Sequence, residues 1–241
     1  LYMTFNGVSS ADFGIAVLSK SRQLFPGSND SYTVVPGRNG TYLFSGGLQD
    51  REIKVKCTYT GTSAANIRAN ARLIAAWLYS AERKVLTFSD EPDLYYIAKV
   101  SSSLDPKHFS LMETFEIIFN CEPLAYGAEV TTNFTADTAT VNNAGTYKTQ
   151  PTFNATFTAV ASEFKVALGA EYIRVVNDFA VDDILQINTE TGAVLINDSR
   201  AMDKLDWQNS NWFTLAPDNN ALSIAPTGKC TANVKHTPRW L

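Results

Sequence analysis

Apolar and polar residues alternate most cleanly over residues 53–59. Ile53, Val55, Cys57 and Tyr59 fall on one side, and Lys54, Lys56 and Thr58 on the other. A period of two predicts a half-buried antiparallel strand. The period then changes. Ile67, Ala71, Ile74 and Leu78 recur at helical spacing, Trp77 widens the stripe, and Arg68, Arg72 and Ala76 lie opposite. This pattern predicts an amphipathic helix with one face to bury, and Ser63 fits its N-cap. Residues 85–88 and 94–100 follow as strands about the turn residues Ser89-Asp90-Glu91-Pro92-Asp93. Phe115, Ile117, Phe119 and Cys121 alternate with Glu116, Ile118 and Asn120, a further strand. The first part of the chain is therefore expected to be a sheet covered by one helix.

Ahead of this stretch, Asn6-Gly7 between Phe5 and Val8 predicts a tight hairpin. Residues 21–40 are polar and broken by Pro26-Gly27, Asn29-Asp30 and Pro36-Gly37, which predicts a long loop or β-arm with a hairpin around Arg38-Asn39-Gly40. Beyond Pro123 the composition turns Thr- and Ala-rich, and Asn142-Asn143-Ala144-Gly145 and Pro151 punctuate the start of a second unit. Short strands are expected at 153–158, 171–176, 184–187, 193–196, 212–215, 222–224 and 231–235, with turns such as Glu190-Thr191-Gly192 and Pro217-Asp218-Asn219-Asn220. That spacing predicts a β-sandwich. Two domains follow, residues 1–130 and 131–241.

Chemistry is sparse. A net charge of −4 without a basic run gives nothing to hold nucleic acid or anionic lipid. The apolar run of residues 73–79 is far too short to span a membrane, and no basic-then-apolar leader opens the sequence, so neither a membrane anchor nor a secretion signal is expected. Cys57, Cys121 and Cys230 are scattered, and the first two sit in phase with apolar neighbours, as buried thiols would. His108 and His236 belong to no zinc, protease or nucleophile motif. Asp90, Glu91 and Asp93 could bind calcium or act as paired acids, although turn formation explains them more simply. Gly228-Lys229 lacks the first glycine and the hydroxyl of a phosphate loop. Three glycosylation-type triplets begin at Asn133, Asn154 and Asn197, matches that an Asn- and Thr-rich chain produces by accident. Trp207 and Trp212 flank Gln208-Asn209-Ser210-Asn211, predicted as a hairpin, and a ring beside amides and hydroxyls suits a carbohydrate. Core or rim tryptophans are the plainer reading. No catalytic residue, metal or cofactor is expected.

A set of short motifs in a fixed order carries more. It comprises Phe5-Asn6-Gly7 with Ser10-Ala11-Asp12-Phe13-Gly14-Ile15, Pro36-Gly37-Arg38-Asn39-Gly40-Thr41, Arg51-Glu52-Ile53 and Ile74-Ala75-Ala76-Trp77-Leu78. Leu86-Thr87-Phe88-Ser89-Asp90-Glu91-Pro92-Asp93 precedes Tyr95-Tyr96, and Phe119-Asn120-Cys121-Glu122-Pro123-Leu124-Ala125-Tyr126 closes the first part. Asn143-Ala144-Gly145-Thr146 and the closing Pro238-Arg239-Trp240-Leu241 belong to the second. In these motifs the chain resembles the siphophage distal tail proteins, the Dit family. The resemblance implies a mainly β protein, with an α+β, sandwich-like first domain bearing one packed helix and a β-arm, then a galectin-like β-sandwich. It implies a virion protein at the distal end of the tail, made in the host bacterial cytoplasm, with six copies of the first domain in a ring. The ring would join the tail tube to the tip or baseplate and pass the tape measure and DNA. Its partners would be further copies of itself, the major tail protein, a tail-associated tip protein and receptor-binding proteins. A carbohydrate-binding module acting through Trp207 or Trp212 is the alternative.

Overall fold

A computed structural model describes residues 1–59, 64–102 and 114–241, with the backbone alone over 64–69. Ser63, His108 and the side chains of Ile67 and Arg68 therefore lie outside the described residues. The chain divides into two compact units, Leu1–Tyr126 together with Leu241, and Gly127–Trp240.

The first unit holds β1 (Met3–Phe5), β2 (Val8–Ser9), β3 (Ile15–Arg22), β4 (Ser31–Val34), β5 (Thr41–Phe44), β6 (Arg51–Tyr59), α1 (Ala64–Leu78), β7 (Lys84–Phe88), β8 (Glu91–Val100), β9 (Thr114–Cys121) and β10 (Ala125–Tyr126). Its main sheet runs β2-β1-β7-β8-β9-β6-β3, every pair antiparallel. Asn6 and Gly7 both take positive φ, the geometry that a tight two-residue hairpin requires. The alternation in β6 is kept throughout, with Ile53, Val55, Cys57 and Tyr59 buried and Lys54 and Lys56 exposed. Helix α1 buries Ile74, Trp77 and Leu78 and leaves Arg72 and Ala76 outside. The Trp77 indole fixes it in place, donating from Nε1 to the Phe5 carbonyl at 2.9 Å and stacking on Phe13 at 4.9 Å.

The second unit holds β11 (Val130–Asn133), β12 (Thr138–Asn143), β13 (Thr152–Phe157), β14 (Ala161–Leu168), β15 (Glu171–Phe179), β16 (Ile184–Asn188), β17 (Ala193–Ile196), β18 (Ser199–Arg200), β19 (Asp218–Ala225), β20 (Cys230–His236) and β21 (Arg239–Trp240). Two antiparallel sheets, β11-β20-β13-β16-β17-β18 and β12-β19-β14-β15, each turn one face to a shared core. Phe157 stacks on Phe179 at 4.0 Å, with Val141, Phe164, Ile187, Phe213 and Val234 among the neighbours. This is the sandwich that the strand spacing predicts.

Three local expectations are corrected. Residues 212–215 are not a strand. Phe213 and Leu215 are buried, but the backbone bonds only at Leu215, to Thr149, so inward alternation occurs without a ladder. Nor is 217–220 wholly a turn. Asn220 uses its amide to close the loop at Ala216, at 2.9 and 3.0 Å, while its own backbone already lies in β19. Trp207 and Trp212 do not flank a hairpin, since Asn209 and Ser210 bond back to the Asp206 carbonyl in a turn with no strand on either side. The turn at Asn143-Ala144-Gly145 has a firmer cause. A Cβ on Gly145 would meet the Arg239 carbonyl oxygen at 2.2 Å, so no other residue fits there.

Candidate functional site

Residues 23–50 leave the main sheet of the first unit and return to it as an arm. Its stem is a short ladder in which Asn29 donates to the Gly47 carbonyl at 2.8 Å and Gln49 to the Gly27 carbonyl at 2.7 Å. Gly46 makes this close approach possible, since a Cβ there would lie 1.9 Å from the Asn29 carbonyl oxygen. Beyond the stem, β4 and β5 form a separate two-stranded sheet closed by residues 35–40, with Gly37 and Gly40 at positive φ. Arg38 lies 3.7 Å over the Tyr42 ring and stiffens the tip.

The arm is apolar on both faces and covered on neither. The register places Tyr32, Leu43 and Val34 on one face, and Tyr42 and Phe44 on the other. All eight residues of β4 and β5 are exposed. Val34 is 72% exposed, and the flanking Leu24 and Phe25 are 88% and 69% exposed. Sequence reasoning took 21–40 as polar because breakers dominate its composition. The missed signal is the pair of short alternations, Tyr32/Val34 and Tyr42/Phe44, on either side of Asn39-Gly40.

The strand that feeds the arm, β3, is held where it leaves the sheet. Arg22 grips Glu91 with both terminal nitrogens at 2.6 Å and also donates to the Tyr96 hydroxyl. Lys20 pairs with Asp90 at 2.9 Å and with Glu91 at 3.0 Å. The Arg22 hydrogen bonds hold the Glu91 carboxyl down to about 2. Asp90 and Glu91 thus neutralise cations at the base of the arm. Among the described residues, no group of three or more His, Cys, Asp or Glu is placed to hold a metal ion. Arg51 lies close by and is buried, with Nε and one terminal nitrogen unbonded. Burial is the main force lowering its pKa, and the neighbouring Arg22 charge adds to it.

Cys57 and Cys121 are buried in the first unit, and burial pushes each thiol up to about 12. Cys230 is half-buried in the second and is pushed up to about 11. Thiols so protonated are poor nucleophiles. His236 is buried in β20, where burial lowers its pKa against an opposing contribution from the Asn142 backbone.

The structure separates the roles of the two tryptophans. Trp207 is 61% exposed, with its Nε1–H held by the Met202 carbonyl at 3.1 Å. Arg174 ties the loop down through Asp206 at 3.2 Å, and Asn211 donates to the Tyr172 carbonyl at 2.8 Å. Trp212 is half-buried and packs against the sandwich core.

Both units match known families. Residues 11–121 match the phage tail protein RIFT-related domain, and residues 144–240 match the siphovirus-type tail component, C-terminal domain. The chain is therefore a siphovirus-type tail component, a structural part of a phage tail. With both domains in this order, it belongs to the siphophage distal tail proteins, the Dit family. A curated relative, the distal tail protein of Bacillus phage SPP1, is 25% identical over 225 residues, covering 90% of this chain and 88% of that one. A crystal structure of SPP1 Dit, described as a paradigm of the hub adsorption apparatus in phages infecting Gram-positive hosts, superposes with a TM-score of 0.84. It is 22% identical, and the match covers 100% of this chain and 99% of that one.

Proposed function

We propose that this chain is the hub of a phage tail tip, assembling as a hexameric ring that joins the tail tube to the adhesion device. The first unit forms the ring, and the second, a galectin-like sandwich, lies at its periphery. The ring passes the tape measure and DNA, and its neighbours are the major tail protein, a tip protein and receptor-binding proteins. Copies made in the host cytoplasm enter the virion at the distal end of the tail. The role is structural, without catalysis or cofactor.

The observation that carries this reading is the arm. A two-stranded ribbon is marginal on its own, and an uncovered apolar one is an aggregation hazard unless a partner covers it. Ring contacts are heterologous, so an arm that leaves one copy meets a different surface on the next and the series closes by rotation. Light scattering on the purified chain tests it, with the mass of six protomers expected. A chain that stays monomeric at high concentration, and is absent from the tail tip in micrographs of the particle, ends the proposal.

A second reading is contact with host-surface glycans through Trp207 and Trp212. The exposed Trp207 ring, anchored by its own N–H, favours it. Glycan-array binding that disappears in Trp207→Ala is the result expected of that reading, and binding indifferent to it removes the reading.

A further inference from the structure

The six-stranded sheet of the second unit turns its outer face away from the core, and that face carries a row of amides. Asn133 in β11, Asn233 in β20, Asn154 in β13 and Gln186 in β16 stand opposite one another in register across four neighbouring strands. Three of them are linked head to tail. Gln186 Nε2 donates to Asn154 Oδ1 at 3.1 Å, and Asn154 Nδ2 donates to Asn233 Oδ1 at 3.1 Å. Thr156 and Thr231 pair in the next row. Asn133, Asn154, Asn233, both threonines and Phe134 line a groove of about 350 Å³ in this face.

We propose that this groove binds a neutral saccharide. Each amide oxygen has two lone pairs and each amide nitrogen two hydrogens, so Asn154 and Asn233, which line the groove, each keep a donor hydrogen and an acceptor lone pair beyond the bonds of the row. The internal bonds fix the amide orientations before any ligand arrives, which lowers the ordering cost of binding. Sugar hydroxyls both donate and accept, and a row offering both functions satisfies them. Nucleic acid and other polyanions would need a cation, and none of the groove residues is charged. An added peptide strand would pair with backbone groups at a sheet edge, whereas the polar groups lining this groove include side-chain amides and hydroxyls that such pairing does not use. Half-buried Phe134 supplies an apolar surface for the C–H side of a pyranose. Two of the glycosylation-type triplets begin in this row. Asn154 cannot present a free amide there, because its amide is bonded on both sides within the sheet.

A single site of this kind is weak, and repetition around a ring would raise its effective affinity. That gain rests on the hub reading, whereas the groove itself does not. The test is saturation-transfer NMR on the full chain, using the methyl glycosides of glucose, galactose, rhamnose and N-acetylglucosamine. Transfer to at least one glycoside is expected, with affinity falling about tenfold in Asn154→Thr, which removes two bonding positions. A smaller loss is expected in Asn133→Ala, an exposed position whose change leaves the fold alone. No transfer to any of the four overturns the proposal, as does transfer whose affinity both Asn substitutions leave unchanged. Light scattering on the same samples reports the ring separately, so failure of the groove and failure of the hub are told apart.

Discussion

Tyr32, Val34, Tyr42 and Phe44 in the arm have the same chemical character as Phe153, Phe157, Val166 and Val175 in the sandwich. All are apolar residues at alternate positions of antiparallel strands. The sandwich residues are 0–2% exposed and the arm residues 47–72%. Residue type does not separate them. The second unit has a sheet on each side of its apolar layer, whereas the arm has two strands and no layer above or below. Five large side chains, Tyr32, Val34, Tyr42, Leu43 and Phe44, at about 2 kcal/mol each, would gain on the order of 10 kcal/mol if fully covered. Association itself costs roughly 4–15 kcal/mol. One arm contact is therefore near break-even. A closed ring adds a contact without a further association cost, and that favours closure over a dimer.

The sharpest way to break this comparison is to make the arm polar. Tyr32→Ser, Val34→Ser and Phe44→Ser together are expected to abolish assembly, giving a protomer mass by light scattering. Thermal unfolding of the second unit should be unchanged, because these residues touch none of its core. An assembly that persists with all three changes places the interface elsewhere. Next in size is Phe157→Ala in the sandwich, expected to cost about 3–5 kcal/mol. Calorimetry should show one transition moving down while oligomer mass stays constant. Coupled loss of both would mean that the two units are not energetically separate. Smaller again is Gly46→Ala, where the new Cβ meets the Asn29 carbonyl and the stem ladder must open. Amide exchange at Asn29 and Gln49 should accelerate several-fold, with weakened but surviving assembly.

Much of the fold was legible because it rests on local periodicity. The alternation in β6 and β9, the stripe of α1 and the Asn6-Gly7 hairpin are physical signals contained in a few consecutive residues. What was not legible depended on distant partners. β11 and β12 were not predicted as strands, for their apolar residues are few and their ladders lie far away in sequence, as in Thr138–Asn143 against β19, whereas β14 was missed although it is apolar and pairs with the adjacent β15. Residues 212–215 carried the converse error, with inward alternation but no neighbouring strand. The functional surface followed the same rule. Trp207 was visible because tryptophan is conspicuous. The amide row was invisible because Asn133, Asn154, Gln186 and Asn233 become neighbours only in the sheet. The arm was visible as an arm, but its apolar character was hidden by the glycines and prolines around it.

The smallest predicted effect sets the two units apart by pH. Each buries a base, but Arg51 in the first keeps its charge throughout the accessible range, while His236 in the second titrates. Burial favours the neutral imidazole, so the folded pKa lies below the unfolded value of about 6.5. Above that value neither state binds the proton, and the stabilisation is fully present. As pH falls below it, the unfolded chain takes up a proton that the folded chain refuses, and stability drains away until the folded pKa is reached. Glu91 in the first unit behaves similarly, but only from about 4.5 downward to its folded value of about 2. Between pH 7 and 5 the second unit should therefore lose stability through His236, in a window above the one in which Glu91 acts. Denaturant melts at the two pH values, with His236→Leu alongside, check this. The substitution should flatten the response of the sandwich. An acid response that survives in His236→Leu would assign it to another group.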